Sequence, residues 1–225
     1  MTLRTARAAA VALACGLCAA PPVLAGPPSF DCAAARSKVE KAICASPALS
    51  DLDRRMASAY AAALKGLDDA GKAALRTDQR IFIDARNAFF GTRDYDLKAD
   101  LADRAAWLER IDLAPRTGWD GLWGSVMGEI TLAGGGAKAE ISTVALTQSH
   151  PVCMLEASAR PDGSALLVGA APADIKANDG WTVRLARSGA TLTAELLPPK
   201  GDDGAGGPPF CGNIPSIGGA FLPLR

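Results

Sequence analysis

The sequence predicts an α+β protein of two domains, a small antiparallel helical hairpin or bundle followed by an antiparallel β sandwich or small barrel. Three observations predict it. Between residues 31 and 113, apolar residues recur at spacings of three and four on a background rich in Ala, Leu and charge. From 119 to 225 the texture changes to short Thr-, Val- and Leu-rich runs separated by glycine-containing turns. Cysteines fall twice in each half, Cys32 and Cys44 in the first, Cys153 and Cys211 in the second. The expected boundaries are 1–25 for a signal peptide, 26–116 for the helical domain and 117–225 for the β-rich domain.

The helices can be placed in order. Ser37 with Glu40 three residues later has the capping-box pattern and starts a short helix near Lys38. Ser46 followed by Pro47 sets an N-cap with proline at the first helical position. Leu49, Leu52, Met56, Ala59, Tyr60, Ala63, Leu64 and Leu67 then follow at helical spacing. Gly66 and Gly71 are expected to bracket a break around "GLDDAG". A second long helix is expected over about 72–90, with Leu75, Phe82, Ile83 and Phe89 on its buried stripe, ended by "GTRDY". A third, about 96–111, carries Leu97, Leu101, Ala105, Leu108 and Ile111 on one face. Short connections make the helices antiparallel neighbours.

In the second half, turn signals at "GGG" 134–136, "RPDG" 160–163, "NDG" 178–180 and "SG" 188–189 separate strand-like runs. "WTVRLAR" and "TLTAELL" around the last of these form a two-residue hairpin pattern. "PPKGDDGAGGPPF" is expected as an exposed loop before Cys211.

The ends and the charge restrict the function. Arg4 and Arg7 precede "AAAVALACGLCAA", an apolar run too short to cross a bilayer, and "VLA" supplies small residues for cleavage after Ala25. A lipid-anchored alternative would acylate Cys15, but Ala stands three residues before it and the apolar run would be very short. The expectation is a soluble protein exported to the periplasm or beyond. Without the leader, 22 basic residues face 24 acidic ones, which argues against nucleic acid as a partner because phosphate neutralisation needs a basic stripe. Cys15 and Cys18 leave with the leader, and four cysteines in an oxidising compartment read as disulfides. Of three pairings, 32–44 with 153–211 keeps each bridge inside one compositional half. A straight helix from 32 to 44 would separate the two Cα atoms by roughly 18 Å, whereas a disulfide needs about 4.4–6.8 Å. The segment must therefore fold back between them.

The chemistry-bearing residues are sparse. His150 is the sole histidine, in "TQSHPVC", with Ser149 beside it, but adjacency is not a nucleophilic triad and a surface histidine is the better account. One His and bridged cysteines do not make a zinc site, and "GDDG" at 201–204 lacks the ligands of a calcium loop. No phosphate-binding glycine motif is present. Asp96, Asp100 and Asp103 share a face of the last helix, and the spacings Asp94–Lys98 and Asp100–Arg104 read as ion pairs on a solvated side. Trp119 and Trp123 in "WDGLW" fit a core at the domain junction better than an exposed ligand platform. No catalytic residue, cofactor or metal is expected.

The stretches "FDCAAARSKVEKAIC", "LSDLDRRMASAYAAAL" and "DQRIFIDARN" resemble the LprI-like lysozyme-inhibitor family. The match falls on Phe30, Asp31, Cys32, Glu40, Lys41, Ile43, Cys44, Leu49, Leu52, Asp53, Tyr60, Gln79, Arg80, Phe82, Arg86 and Asn87. The resemblance implies an exported inhibitor that binds a lysozyme or other cell-wall hydrolase. Relatives carry a second cysteine pair where this chain has Phe89 and Asp96, so the turn between the last two helices should be less constrained here. Asp53, Arg80, Arg86 and Asn87 are expected to cap helices and tie the hairpin together rather than to touch a partner. The alternative function is a binding or scaffolding module of the cell envelope without inhibitory activity.

Overall fold

The computed structural model describes residues 26–114, 116–144, 151–201, 206–212 and 217–225. The expected leader with Cys15, Cys18 and the cleavage point after Ala25 lies outside the described residues, as does His150. Nor does the described chain include most of "GDDG".

The chain begins with a 3-10 turn, Cys32–Ala34, in which Asp31 accepts from Ala33 N (2.9 Å). Four helices follow: α1 Lys38–Ala45, α2 Pro47–Gly66, α3 Asp69–Phe89 and α4 Leu97–Glu109. The capping box is complete, since Ser37 Oγ accepts from Glu40 N (3.0 Å) and Glu40 Oε2 accepts from Ser37 N (2.9 Å). Extended backbone at Ala35 and Ser37 turns the chain back, so Cys32 and Cys44 meet in a disulfide with Cα atoms 5.9 Å apart. Ser46 closes α1 and caps α2, with Pro47 at the first helical position.

The expected break at "GLDDAG" is shorter than two glycines suggest. α2 runs through Gly66, and α3 begins at Asp69 with Gly71 inside its first turn. The cause is Asp68, whose Oδ1 accepts from Gly71 N at 2.7 Å as the N-cap. A Cβ at Gly71 would meet Leu67 Cδ2 at 3.0 Å, so close packing and not helix breaking keeps this residue small.

Eight strands follow: β1 Gly121–Ser125, β2 Gly128–Ala133, β3 Lys138–Val144, β4 Pro151–Asp162, β5 Ala165–Val168, β6 Thr182–Ser188, β7 Thr191–Leu197 and β8 Gly218–Leu224. Every strand pairs antiparallel with its sequence neighbour, and β8 pairs with β1, which closes a barrel and leaves no sheet edge. The sandwich-or-barrel expectation resolves to a barrel. Inward positions alternate with outward ones along β2 and β3, and Trp123, Ile130, Ile141, Leu155, Val183, Leu185, Leu192 and Phe221 fill the interior. The β6–β7 turn is Gly189–Ala190, one residue later than "SG" indicated, because Ser188 pairs with Thr191. Gly189 takes a φ of +56° at the first turn position, which glycine adopts without strain. Cys153 and Cys211 form the second disulfide, joining β4 to the segment before β8. A helix the sequence did not announce, α5 Pro172–Ala177, lies between β5 and β6.

Helices and barrel share a core. Leu222 and Leu224 of β8 are 1% and 2% exposed and pack with Leu75, Leu101, Leu108 and Ile111 of the helical lobe. Ile111 bridges to Leu224, and Asp112 N donates to Pro223 O at 2.8 Å.

Candidate functional site

Polar side chains buried in the helical lobe form two adjoining groups, and Asp53, Gln79 and Arg86 of the motif pattern belong to them. The first surrounds Arg104 of α4. Its guanidinium is 5% exposed and lies 2.7 Å from Asp78 Oδ2, while Nε donates to Gln79 Oε1 at 2.9 Å. The rings of Trp107 and Phe82 flank it, with centroids at 4.4 and 5.2 Å. Burial lowers the Arg104 pKa from its ordinary value, and the Asp78 carboxylate opposes that shift. Asp78 reaches further, since its Oδ1 accepts from Val126 N in the β1–β2 turn at 2.7 Å. One carboxylate therefore neutralises a cation in the helices and fixes a turn of the barrel.

The second group centres on Arg86 of α3, 7% exposed. Its Nη2 donates to Asn87 Oδ1 at 3.4 Å, and its Nε is buried without a partner. Desolvation lowers its pKa, and Tyr95, Asp53, Asp100 and Glu40, in that order, hold it up. Asp53, 3% exposed, accepts from both Ser29 N (2.7 Å) and Ser29 Oγ (2.6 Å), which ties the N-terminal segment to α2. Tyr95 donates to Asp100 Oδ2. Burial raises the Asp100 pKa above the usual carboxylate value, and burial with the Asp100 contact raises that of Tyr95.

This overturns the solvated reading for Asp100 and Arg104, while Asp96 and Asp103 are exposed as expected. Asp100 and Arg104 do not pair on an exposed face; Arg104 turns inward to Asp78, and Asp100 takes the Tyr95 hydroxyl. The apolar stripe of Leu101, Ala105 and Leu108 already places residue 104 beside the buried face. Its partner Asp78, on another helix, lies beyond any local spacing rule.

The remaining motif residues serve the scaffold or the surface. Asp31 caps the 3-10 turn and Glu40 accepts from Arg36 N at 2.8 Å as well as from Ser37. Tyr60 packs partly buried against the helical core, whereas Arg80 and Asn87 are exposed. Phe89 is the last residue of α3, and Asp96 is the N-cap of α4, accepting from Lys98 N and Ala99 N. Among the described residues no three His, Cys, Asp or Glu side chains gather in a group able to hold a metal ion.

Residues at the junction complete the framework. Trp123 is wholly buried in the barrel and donates to Trp119 O at 3.0 Å, with the Arg116 guanidinium 4.7 Å from its ring. Arg116 donates to the carbonyls of Leu122 and Leu224, and Arg187 to that of Gly118 at 2.7 Å. A cleft of about 420 Å³ opens beside them, lined by Asp68, Asp112, Leu113, Arg116 and Arg187. Arg116 is occupied by backbone carbonyls of β1 and β8 and Arg187 by those of the linker, so they lock the junction.

No helix among the described residues is long and apolar enough to cross a membrane. Neither a curated protein nor a solved structure matches the chain. Residues 32–116, the helical lobe and the linker after it, match the family model described as lysozyme inhibitor LprI, and the β-barrel follows as an extension beyond that match.

Proposed function

We propose that this is an exported envelope protein that inhibits a lysozyme or related peptidoglycan hydrolase by binding it. The family match over residues 32–116 carries the reading. Two disulfides support an oxidising compartment, where a staple like Cys32–Cys44 persists. We place the leader at 1–25 and the functional lobes at 26–116 and 117–225.

The mechanism is occlusion and not chemistry. Lysozymes cleave with two carboxylates set in a cleft, and a rigid body seated over that cleft excludes substrate. The motif residues Asp53, Gln79 and Arg86 are turned inward, so in this reading they hold the body rigid while the contact surface lies elsewhere. Rigidity favours inhibition because fewer side chains and loops need ordering on binding.

The test mixes the exported protein with lysozymes of several classes and follows lysis of cell-wall suspensions. Near-equimolar protein should suppress lysis by at least one class. Undiminished lysis at large excess for every class rejects inhibition, and pull-down from envelope extract would then identify a scaffold partner.

A further inference from the structure

The helices cover one side of the barrel only. Leu122 of β1 and Leu222 and Leu224 of β8 turn outward into the helical core, and α3 packs along β7 and β8. The far side, β2 to β4, presents its outward side chains to solvent, with α5 touching one end through Asp174 and Ser158. A shallow groove of about 490 Å³ runs across this bare sheet, between Thr131, Ala133, Lys138, Glu140, Glu156 and Ser158.

Three features of this face point to one kind of occupant. The register sets Glu140 directly opposite Glu156, both exposed, an arrangement that disfavours the sheet because like charges face each other. Among the described residues neither makes an ion pair, and Lys138 in the same groove leaves two carboxylates to one ammonium. Met154, two residues before Glu156 on the same face, is 65% exposed, the most of any large hydrophobic described. Its flexible thioether suits an adaptable apolar contact. Thr131, Ala133 and Ser158 are short, which leaves room for a long side chain to lie between the carboxylates.

We propose that the β2–β4 face docks a basic protein surface, with an Arg or Lys of the partner entering between Glu140 and Glu156 and apolar neighbours packing on Met154. The inference rests on the inhibitor reading, which makes the partner a cationic lysozyme. A basic side chain relieves the Glu140–Glu156 repulsion, so binding gains where the free protein is strained.

The experiment uses the intact protein and a cationic lysozyme that it inhibits. Affinity and its salt dependence are measured for wild type, E140Q/E156Q, Met154→Lys and, as a control on β7, Glu195→Gln. Loss of two exposed charge contacts should weaken binding by roughly three- to tenfold and flatten the salt dependence. Met154→Lys should weaken it further, and Glu195→Gln should match wild type. If the wild type inhibits while E140Q/E156Q and Met154→Lys keep its affinity and salt dependence, the docking face is wrong and the inhibitor reading stands. If the wild type binds no lysozyme, that reading fails, and an arginine-rich peptide titrated into isotope-labelled protein still tests the face. Shifts centred on Glu140, Met154 and Glu156 support it, and their absence overturns it.

Discussion

The helical lobe and the barrel solve the same burial problem with different interiors. The barrel is lined by apolar side chains, with Trp123, Phe221 and a ring of Ile, Leu and Val at its centre. The helical lobe buries Asp53, Asp78, Gln79, Arg86 and Arg104 among its leucines. Closure explains the contrast. A sealed barrel satisfies its backbone through ladders on every strand and needs only a period-two pattern to fill itself. Four helices of unequal length leave more ways to pack, and a buried ion pair has one geometry that satisfies it. Such pairs add little net stability but penalise misregister, the role proposed here for Asp78 and Arg104.

That comparison can be broken most forcefully at Arg104. Arg104→Ala strands the Asp78 carboxylate between the lobes and should cost about 3–5 kcal/mol in urea unfolding. The double variant Asp78→Asn with Arg104→Met should lose much less, because no charge remains buried alone. Equal losses would show that packing and not charge governs the site.

The next largest effect tests whether the lobes are separate at all. Leu224→Ala removes a β8 side chain that lies in the helical core and should cost about 2–4 kcal/mol. Near-ultraviolet signals from the barrel and helical content should fall in one transition. Two transitions would mean that the lobes unfold independently.

Asp68 links the regions more lightly, capping α3 and accepting from Ala190 N of the β6–β7 turn at 2.8 Å. Asp68→Ala should cost about 1–2 kcal/mol, read as a lowered urea midpoint.

The smallest effect is a pH dependence confined to the helical lobe. Burial raises the Asp100 pKa, with the Tyr95 hydroxyl, Arg86 and Arg104 opposing and Asp103 assisting. The folded protein therefore holds a proton that the unfolded chain releases sooner. This contribution is full below the ordinary carboxylate value and is lost as pH rises through the raised one. Asp100→Asn keeps an acceptor for Tyr95 and removes the titration. Its stability relative to wild type should increase as pH rises across that window, measured by urea midpoints; a constant difference would refute the raised pKa.

Much of the fold was legible because its determinants are local. The capping box at Ser37 and Glu40, the Ser46–Pro47 start and the glycine turn at 134–136 are read from neighbouring residues and stand where the sequence places them. β8 was harder to see. Its last four residues, Phe221 to Leu224, are all buried, one face in the barrel and the other in the helices, so alternation vanishes. Gly121–Ser125 of β1 was hidden similarly, with Leu122 and Trp123 packed on opposite sides. In the candidate site, Asp53, Gln79 and Arg86 were visible through the motif. Asp78 and Arg104 were not, since their meeting depends on how α3 and α4 cross.

Strand β8 lends side chains to two interiors, and it is made about a hundred residues after the helices that it seals. Until it arrives, Leu75, Leu101 and Leu108 face an unfinished wall. Long-range closure of this kind slows folding, so newly made chains should spend a vulnerable interval as helices awaiting their final strand. During that interval any holdase or protease that meets the chain competes with closure of the barrel.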